Sequence, residues 1–368
     1  MAENFYMINF IVIIAVIYGG KMRDEFESKR DLDALIKDLG SKDKEKRWRA
    51  SEDLAGLGKK AVDSLVKALK KEKDDIKVGA AITLGKIEGI DPNPLIEALN
   101  DKNWEVRWAA ATSLGNLGAR EAVDALINLL RDDSWDVRRV AAISLGKIKD
   151  PKAVKPLVEA LKSDRLIRFE AARALIQIGE DAVPELIPLL QIDDIDVRMK
   201  AAEIFGLIGD EGAVEPLIQL LNDHDQGIRD ATSKALAKIG GRAIEGLISF
   251  LRSGDYKLEA LKALVEVDAT DTHFDEILEV LAEMLKEEDE DVRYEAVVNL
   301  GKMGEKGIKY LLEALEDESE LVRRGAAMAL VLNGEVSLTY LERELKGLSS
   351  EKEEKAKLLR EIIGRIKR

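Results

Sequence analysis

The chain repeats one short pattern along most of its length, at a period close to thirty residues. The pattern reads "NWEVRWAAATSLGNLG" at 103–118 and "SWDVRRVAAISLGKIK" at 134–149. A basic residue, here called position 0, recurs at intervals of 30, 30, 31, 30, 30, 31, 28, 36 and 30 residues. A repeat of this period is typical of a solenoid, in which each unit packs only against its neighbours. The ten residues at position 0 are Arg47, Lys77, Arg107, Arg138, Arg168, Arg198, Arg229, Lys257, Arg293 and Arg323.

Each unit divides into two predicted helices. Apolar residues at helical spacing over 121–130 indicate a first helix, and the polar residues 131–134 indicate a turn. The second helix opens with an acid, such as Glu105 or Asp136, which suits the positive end of a helix dipole. Three prolines fall in the first turns of first helices, where a missing N–H costs little: Pro156, Pro184 and Pro216. Five glycines end second helices, where a left-handed residue is favoured: Gly118, Gly179, Gly209, Gly240 and Gly304.

The small residues of the second helix are predicted to set the spacing between units. At 100° per residue, positions −1, +3, +7 and +10 share one face, which we expect to pack on the first helix of the same unit. Positions 0, +4 and +8 form an adjoining stripe, occupied in the third unit by Arg107, Ala111 and Gly115. Small side chains along this stripe permit close approach of the next unit's helix.

The arginine at position 0 has two interpretations, a ladder for an anionic ligand or a structural stem. In the structural one, its guanidinium bonds to carboxylates or helix-end carbonyls of a neighbouring unit. Repetition in nearly every unit favours the structural role. The predicted structural ladder consists of Arg47, Arg107, Arg138, Arg168, Arg198, Arg229, Arg293 and Arg323.

The pattern D-x-V-R-x-x-A-A-x-x-L-G-x-I-G, as in "DDIDVRMKAAEIFGLIG" at 193–209, resembles the short HEAT-like repeats of the phycobilisome-lyase type. The resemblance covers residues 24–346, and residues 347–368 are predicted to form a polar C-terminal capping helix. It implies an all-α fold: a right-handed α-solenoid, or superhelix, of about ten two-helix repeats with second helices lining the concave side. Such a fold leaves the function open.

Composition narrows the function. A net charge of −14 disfavours a nucleic-acid partner, and the absence of cysteine removes thiolate metal sites and thiol nucleophiles. Neither His224 nor His273 is followed by Glu, so the paired His-Glu motifs of the similar deoxyhypusine hydroxylases are missing. We therefore expect no metal, no cofactor and no enzymatic activity. Only four Gln beside many Lys and Glu would suit a thermophile.

Residues 4–20 carry no charge and lie outside the repeat, so residues 1–21 are treated as a separate segment. Seventeen residues reach the short limit for crossing a bilayer. As an anchor, the segment would leave Lys21, Arg23, Lys29 and Arg30 on the cytoplasmic side with the rest of the chain. The alternative is a mis-assigned start, with Met22 opening an ordinary sequence. The expected location is the cytoplasm, with attachment to the membrane face in the first case.

Aromatic and large apolar residues recur where the second helix faces away from the core. Positions +1 and +5 lie opposite the core, and two tryptophans occupy position −3 near the same helix starts. We expect them to line a groove that binds a protein or peptide, although neighbouring helices could half-bury them. The open alternatives are a lyase- or chaperone-like cradle for a tetrapyrrole or other aromatic cofactor, and a membrane-tethered adaptor. The predicted partner-binding residues are Trp48, Ile82, Trp104, Trp108, Trp135, Ile143, Phe169 and Met199.

One unit departs from the pattern. The intervals around Lys257 are 28 and 36, and the small stripe is replaced by Leu261 and Val265. Lysine also lacks the bidentate fork of arginine. Looser stacking, as a bend or weak joint, is therefore predicted between residues 240 and 290.

Overall fold

The computed structural model describes residues 32–267, 273–348 and 353–368, which form helices and turns without a strand. The uncharged segment 4–20 and the basic residues that follow it lie outside this range. Within the range, none of the helices has the length and apolar character needed to span a bilayer.

The helices alternate between first and second members of ten successive pairs in the part of the chain described. The first helices are α1 (Leu32–Asp38), α3 (Lys59–Lys71), α5 (Asn93–Ala98), α7 (Val123–Leu129), α9 (Val154–Ser163), α11 (Val183–Leu186), α13 (Val214–Leu220), α15 (Ile244–Ser253), α17 (Phe274–Met284) and α19 (Glu305–Ala314). The second helices are α2 (Lys44–Leu57), α4 (Asp74–Leu84), α6 (Trp104–Leu117), α8 (Trp135–Ile148), α10 (Arg168–Ile178), α12 (Ile195–Ile208), α14 (Gln226–Ile239), α16 (Lys257–Glu266), α18 (Glu290–Lys302) and α20 (Glu320–Leu332). Two more helices follow, α21 (Glu335–Gly347) and α22 (Glu353–Ile366).

Short 3-10 helices accompany several first helices: Arg120–Ala122, Pro151–Ala153, Glu180–Ala182, Ile187–Gln191, Glu211–Ala213 and Gly240–Ala243. The chain divides into two compact units, each containing several helix pairs: the first unit ends at Ile178 and the second begins at Gly179. The first contains α1 to α10 and the second α11 to α22. Within each unit, successive second helices contact one another and each packs on its own first helix. The predicted all-α solenoid of about ten helix pairs is confirmed.

Local sequence explains where the second helices begin and end. Side chains such as Asp43, Asn103 and Asp225 accept hydrogen bonds from backbone N–H groups of the first helical turn. The five glycines predicted to end second helices all have positive φ, between 60° and 84°. Any other residue is strained in this conformation, so these glycines fix the helix ends.

The glycine at position +8 sets how closely successive second helices approach. A Cβ built on Gly115 would lie 2.6 Å from the Cβ of Ser144, and one on Gly206 would lie 2.6 Å from the Cα of Ala235. The role of the small stripe in stacking is confirmed. The sequence analysis overlooked the residue it meets, which is position +6 of the next unit. There, the Ser144 hydroxyl donates a hydrogen bond of 2.8 Å to the carbonyl of Ala111, joining the two helices through polar atoms as well.

The face predicted to pack inward forms the core of each pair. In the third pair, Val106, Ala110 and Leu114 are fully buried, and so is Leu95 on α5. Deleting such a leucine leaves a cavity and typically costs about 2–5 kcal/mol of folding free energy. The pairs are therefore held together by apolar burial along one face of each second helix.

The position-0 arginines tie each inter-helix turn to the next. Arg107 makes two hydrogen bonds, of 2.7 and 2.8 Å, to the carboxylate of Asp132 in the following turn. Its Nη1 donates to the carbonyls of Asp101 and Lys102 at 2.9 and 3.1 Å. These carbonyls belong to its own unit, whereas the sequence analysis placed them in a neighbouring one. The reason is geometric, since a side chain at the helix start reaches back to the turn that precedes it.

The same arrangement recurs with variations. Arg138 pairs with Asp164, Arg198 with Asp223, Arg229 with Glu259 and Arg293 with Asp317. Arg47 and Arg323 donate to carbonyls of the preceding turn, those of Ser41 and Asp317, and Arg168 donates to the Leu161 carbonyl near the end of α9. The hydrogen bond that Arg107 donates to Asp132 raises the pKa of Arg107, and burial lowers it by less. Carboxylates thus hold Arg107 and its four equivalents in place, which supports the structural interpretation of the ladder.

In the irregular unit, the carboxylate partner comes from a helix rather than a turn. Arg229 lies 3.2 Å from Glu259 on α16, and its guanidinium stacks 4.1 Å from the centroid of the Tyr256 ring. Lys257 forms a single ion pair of 2.8 Å with Glu287. Residues 268–272, inside the predicted weak joint, lie outside the described range. Looser stacking of this unit therefore stays a prediction.

Helix α22 covers the end of the second unit. It packs on α20 and α21 through Ala356, Leu359 and Ile362, which are buried. Lys355 adds ion pairs of 2.5 Å to Glu316 and 2.8 Å to Glu344. The outer face remains polar, as a solenoid end requires.

Candidate functional site

A groove of about 830 Å³ opens on the first unit, across the starts of α2, α4, α6 and α8. Its apolar lining includes Trp48, Val78, Ile82, Trp104 and Trp108. We call it the aromatic groove. Four of the eight predicted partner-binding residues line it, so the sequence pattern located about half of this set in one place.

The rings lie in the groove because of the side of the helix that carries them. Trp48 and Trp104 are 61% and 42% exposed. Trp108 on α6 and Ile82 on α4 are half-buried. On α6, the core face is occupied by Val106 and Ala110, which turns position +1 away from the core. The aromatic groove therefore combines exposed indoles with a partly sheltered apolar floor.

Two glycines bring the groove's floor close to the first turn. A Cβ on Gly79 would lie 2.7 Å from the Cβ of Leu39, and one on Gly40 would lie 2.6 Å from Cγ1 of Ile76. Both glycines and Leu39 line the groove. A larger side chain at either glycine would push α4 away from the turn after α1, which would change the groove's shape.

Charged side chains form the rim. Three carboxylates stand at position −2, the first turn of their helices: Asp75 on α4, Glu105 on α6 and Asp136 on α8. None of the three side chains has an ion-pair or hydrogen-bond partner within residues 32–267, 273–348 and 353–368. Lys42 and Lys44 lie at the end of the groove formed by the first helix pair. Their side chains also have no ion-pair or hydrogen-bond partner in the described residues. Groups without partners are available to a ligand.

The other basic residues of the lining are already engaged. Lys86 forms an ion pair of 2.8 Å with Glu52, and Arg47 donates to the Ser41 carbonyl at 2.6 Å. Arg139 stands 3.5 Å from Glu170. Carboxylates therefore offset the charges of Lys86 and Arg139, whereas Arg47 is held by a carbonyl and keeps its positive charge beside Lys42 and Lys44.

Two predicted rings lie outside the aromatic groove and carry their own cations. The Arg139 guanidinium lies 5.7 Å from the centroid of the Trp135 ring, and that of Arg173 lies 5.8 Å from the Phe169 ring. Both pairs have i, i+4 spacing on one helix, so the sequence contained this signal and the analysis missed it. Ile143 is half-buried outside the groove, and Met199 is half-buried in the second unit.

The arrangement is suited to binding. Flat indoles, an apolar floor and unpaired rim charges recognise a ligand by stacking, burial and charge. Across the described ranges, no group of three or more His, Asp or Glu residues stands close enough to hold a metal ion.

Comparison with family models gives two matches. The model described as HEAT repeats matches residues 92–176, 183–265, 244–331 and 278–350, and the one described as PBS lyase HEAT-like repeat matches residues 167–191. No curated protein shows a significant match.

Solved structures of Kap121p share the fold, and two further solved structures match with lower TM-scores. Kap121p bound to the SUMO protease Ulp1p is 15% identical over 91% of this chain and 45% of its own, with a TM-score of 0.57. The CpcE–CpcF complex of phycocyanin lyase from Nostoc sp. PCC7120 is 27% identical over 60% of this chain and 92% of the other, with a TM-score of 0.34. An engineered protein is 24% identical over 92% and 99% of the two chains, with a TM-score of 0.34. This chain thus spans about half of Kap121p.

Proposed function

The chain belongs to the HEAT-repeat family, and from this we propose that it is a non-enzymatic interaction scaffold that binds a peptide or partner segment in the aromatic groove. The observation that carries the proposal is the exposure of two indoles in one groove, Trp48 at 61% and Trp104 at 42%. Tryptophan is enriched at the centres of protein interfaces, where it contributes a large share of the binding free energy.

The size of the groove suits a peptide. It crosses four successive second helices, and helices packed at about 8–10 Å give a length of roughly 30 Å. An extended chain rises about 3.3 Å per residue, so roughly nine residues would fit. Two exposed indoles and the half-buried Trp108 could then take up apolar side chains of such a segment.

A flat aromatic cofactor, such as a tetrapyrrole, is the second candidate ligand. It would also stack on indoles, and the match to the PBS lyase HEAT-like repeat gives it support. That match covers residues 167–191, whereas the groove lies among residues 39–139, which favours the peptide. Absorbance of the purified protein beyond the tryptophan band would reveal a cofactor and count against the peptide.

Selection from a displayed library of random twelve-residue peptides tests the proposal. The full chain is compared with the double variant Trp48→Ala/Trp104→Ala, and Phe169→Ala serves as the matched control. Phe169 is 62% exposed in the same unit but lies outside the groove. We expect the wild type and the control to enrich a common family of peptides that the double variant does not retain. Enrichment that is independent of the two indoles would contradict the proposal.

A further inference from the structure

The molecule itself shows how this surface holds a guanidinium group. Arg139 lies 5.7 Å from the centroid of the Trp135 ring and 3.5 Å from the carboxylate of Glu170. A ring beneath a cation and a carboxylate beside it each attract the positive charge. The two acceptors together therefore form a binding place for a cation, filled here by the chain's own arginine.

The aromatic groove also contains aromatic rings and carboxylates, but these have no cation bound to them in the described residues. At the position of Arg139, the preceding unit has Trp108, so no arginine covers the ring of Trp104. In the described part of the chain, no cation lies over Trp48, Trp104 or Trp108. Glu105 stands three residues before Trp108 on α6, which places the carboxylate on the same side of the helix as that ring.

The carboxylates form a row rather than a single charge. Asp75, Glu105 and Asp136 stand at the same position of three successive second helices, each without a partner in the described residues. A net charge of −14 further favours the approach of a positively charged partner. Lys42 and Lys44 lie at the end of the groove formed by the first helix pair. The surface charge therefore changes along the groove, from positive at that end to negative over α4 to α8.

We propose that the partner is a peptide segment bearing arginine or lysine, whose cations lie against the indoles and pair with Asp75, Glu105 and Asp136. This rests on the proposed function and specifies the chemistry of its ligand. The cationic part of the peptide lies over α4 to α8, and any acidic residue or carboxyl end lies toward Lys42 and Lys44. The change of sign along the groove fixes the direction of the peptide chain.

Peptide composition is the first measurement. Displayed random twelve-residue peptides selected on the full chain are sequenced, and their Lys and Arg content is compared with that of the starting library. We expect enrichment of Lys and Arg over Asp and Glu. Peptides that are apolar or acidic, yet need Trp48 and Trp104, would overturn this inference and leave the groove as a peptide site. Failure to enrich any groove-dependent peptide would overturn the proposed function itself.

Affinity is the second measurement. The most enriched peptide, labelled with a fluorophore, is titrated by anisotropy against wild type, Glu105→Gln/Asp136→Asn and the control Asp291→Asn/Glu320→Gln. The control removes two carboxylates from the first turns of α18 and α20, outside the groove, and so makes the same change in net charge. We expect the groove variant to bind at least about tenfold more weakly, with the control unchanged. Equal affinity of all three proteins would contradict the proposed pairing.

Discussion

Gly115 shows at the scale of one residue how the sequence specifies the stack. A glycine in a helix interior lowers helix stability, so its presence in the middle of a repeated helix requires another cause. The cause is the close approach of α6 and α8, because a Cβ on Gly115 would lie only 2.6 Å from the Cβ of Ser144 on α8. The repeated pattern was sufficient to predict this spacing role. It did not reveal the serine hydroxyl bond, since serine at position +6 is present in only some units.

Substitution of this glycine should weaken the stack. The Cβ of Gly115→Ala would overlap Ser144, and such overpacking typically costs about 1–3 kcal/mol. Gly56 is the matched control, because it also lies in a second helix but has nothing within 4 Å of the added Cβ. Gly56→Ala should be neutral or stabilising by up to about 1 kcal/mol. Urea unfolding of both variants checks this, and equal effects would contradict the contact.

Asp101 should make stability depend on acidity. Burial raises the pKa of Asp101, but hydrogen bonds from Lys77 and from the backbone N–H of Asn103 outweigh it, so the pKa lies below 3.8. The folded state therefore gains stability from this carboxylate above about pH 4 and loses it as pH falls through the folded-state pKa.

The variant Asp101→Asn isolates this contribution. At about pH 6 its free energy of unfolding should be about 1–2 kcal/mol lower than that of the wild type. The difference should shrink as the pH falls through the lowered folded-state pKa of Asp101, because the wild-type carboxylate is then protonated too. Urea unfolding over a series of pH values from about 6 downward measures it. A difference of constant size over the whole series would show that the ion pair with Lys77 is not the source.

At the scale of helices, the hydrophobic period and the helix-end glycines predicted the pairs and their order. They did not predict that some first helices are short, such as α11 (Val183–Leu186), where Pro188 follows and the chain continues as a 3-10 helix. Nor did they predict which rings stay accessible. The wheel gives the direction of a side chain, whereas coverage depends on neighbours such as Arg139, which stacks on Trp135. Half of the predicted site therefore falls outside the groove.

Helix α16 should be the least protected second helix of the second unit. Lys257 makes one ion pair where Arg293 makes two hydrogen bonds to Asp317, and Leu261 replaces the small residue of the stripe. We expect amides of α16 (Lys257–Glu266) to exchange with deuterium faster than those of α14 (Gln226–Ile239). Uniform protection across both helices would contradict a weak joint.

At the scale of the whole molecule, the residues of each second helix have two roles, stacking against neighbouring helices and forming an exposed surface. Small and apolar positions hold successive helices together, and positions away from the core are free to vary from unit to unit. This is why the fold could be predicted from pattern alone, whereas the ligand could not. The pattern recurs along the chain, whereas the aromatic groove is lined by rings of particular repeats, Trp48 of the first and Trp104 and Trp108 of the third.

The central claim is that the exposed indoles of the first unit serve binding and contribute little to folding. The most direct test measures, in one double variant Trp48→Ala/Trp104→Ala, both the free energy of unfolding and the affinity for the selected peptide, beside the core variant Leu114→Ala. We predict at least about a tenfold loss of affinity with at most about 1 kcal/mol lost in stability, against about 2–5 kcal/mol for the leucine. An unfolding penalty equal to that of the core variant, or unchanged affinity, would contradict the account.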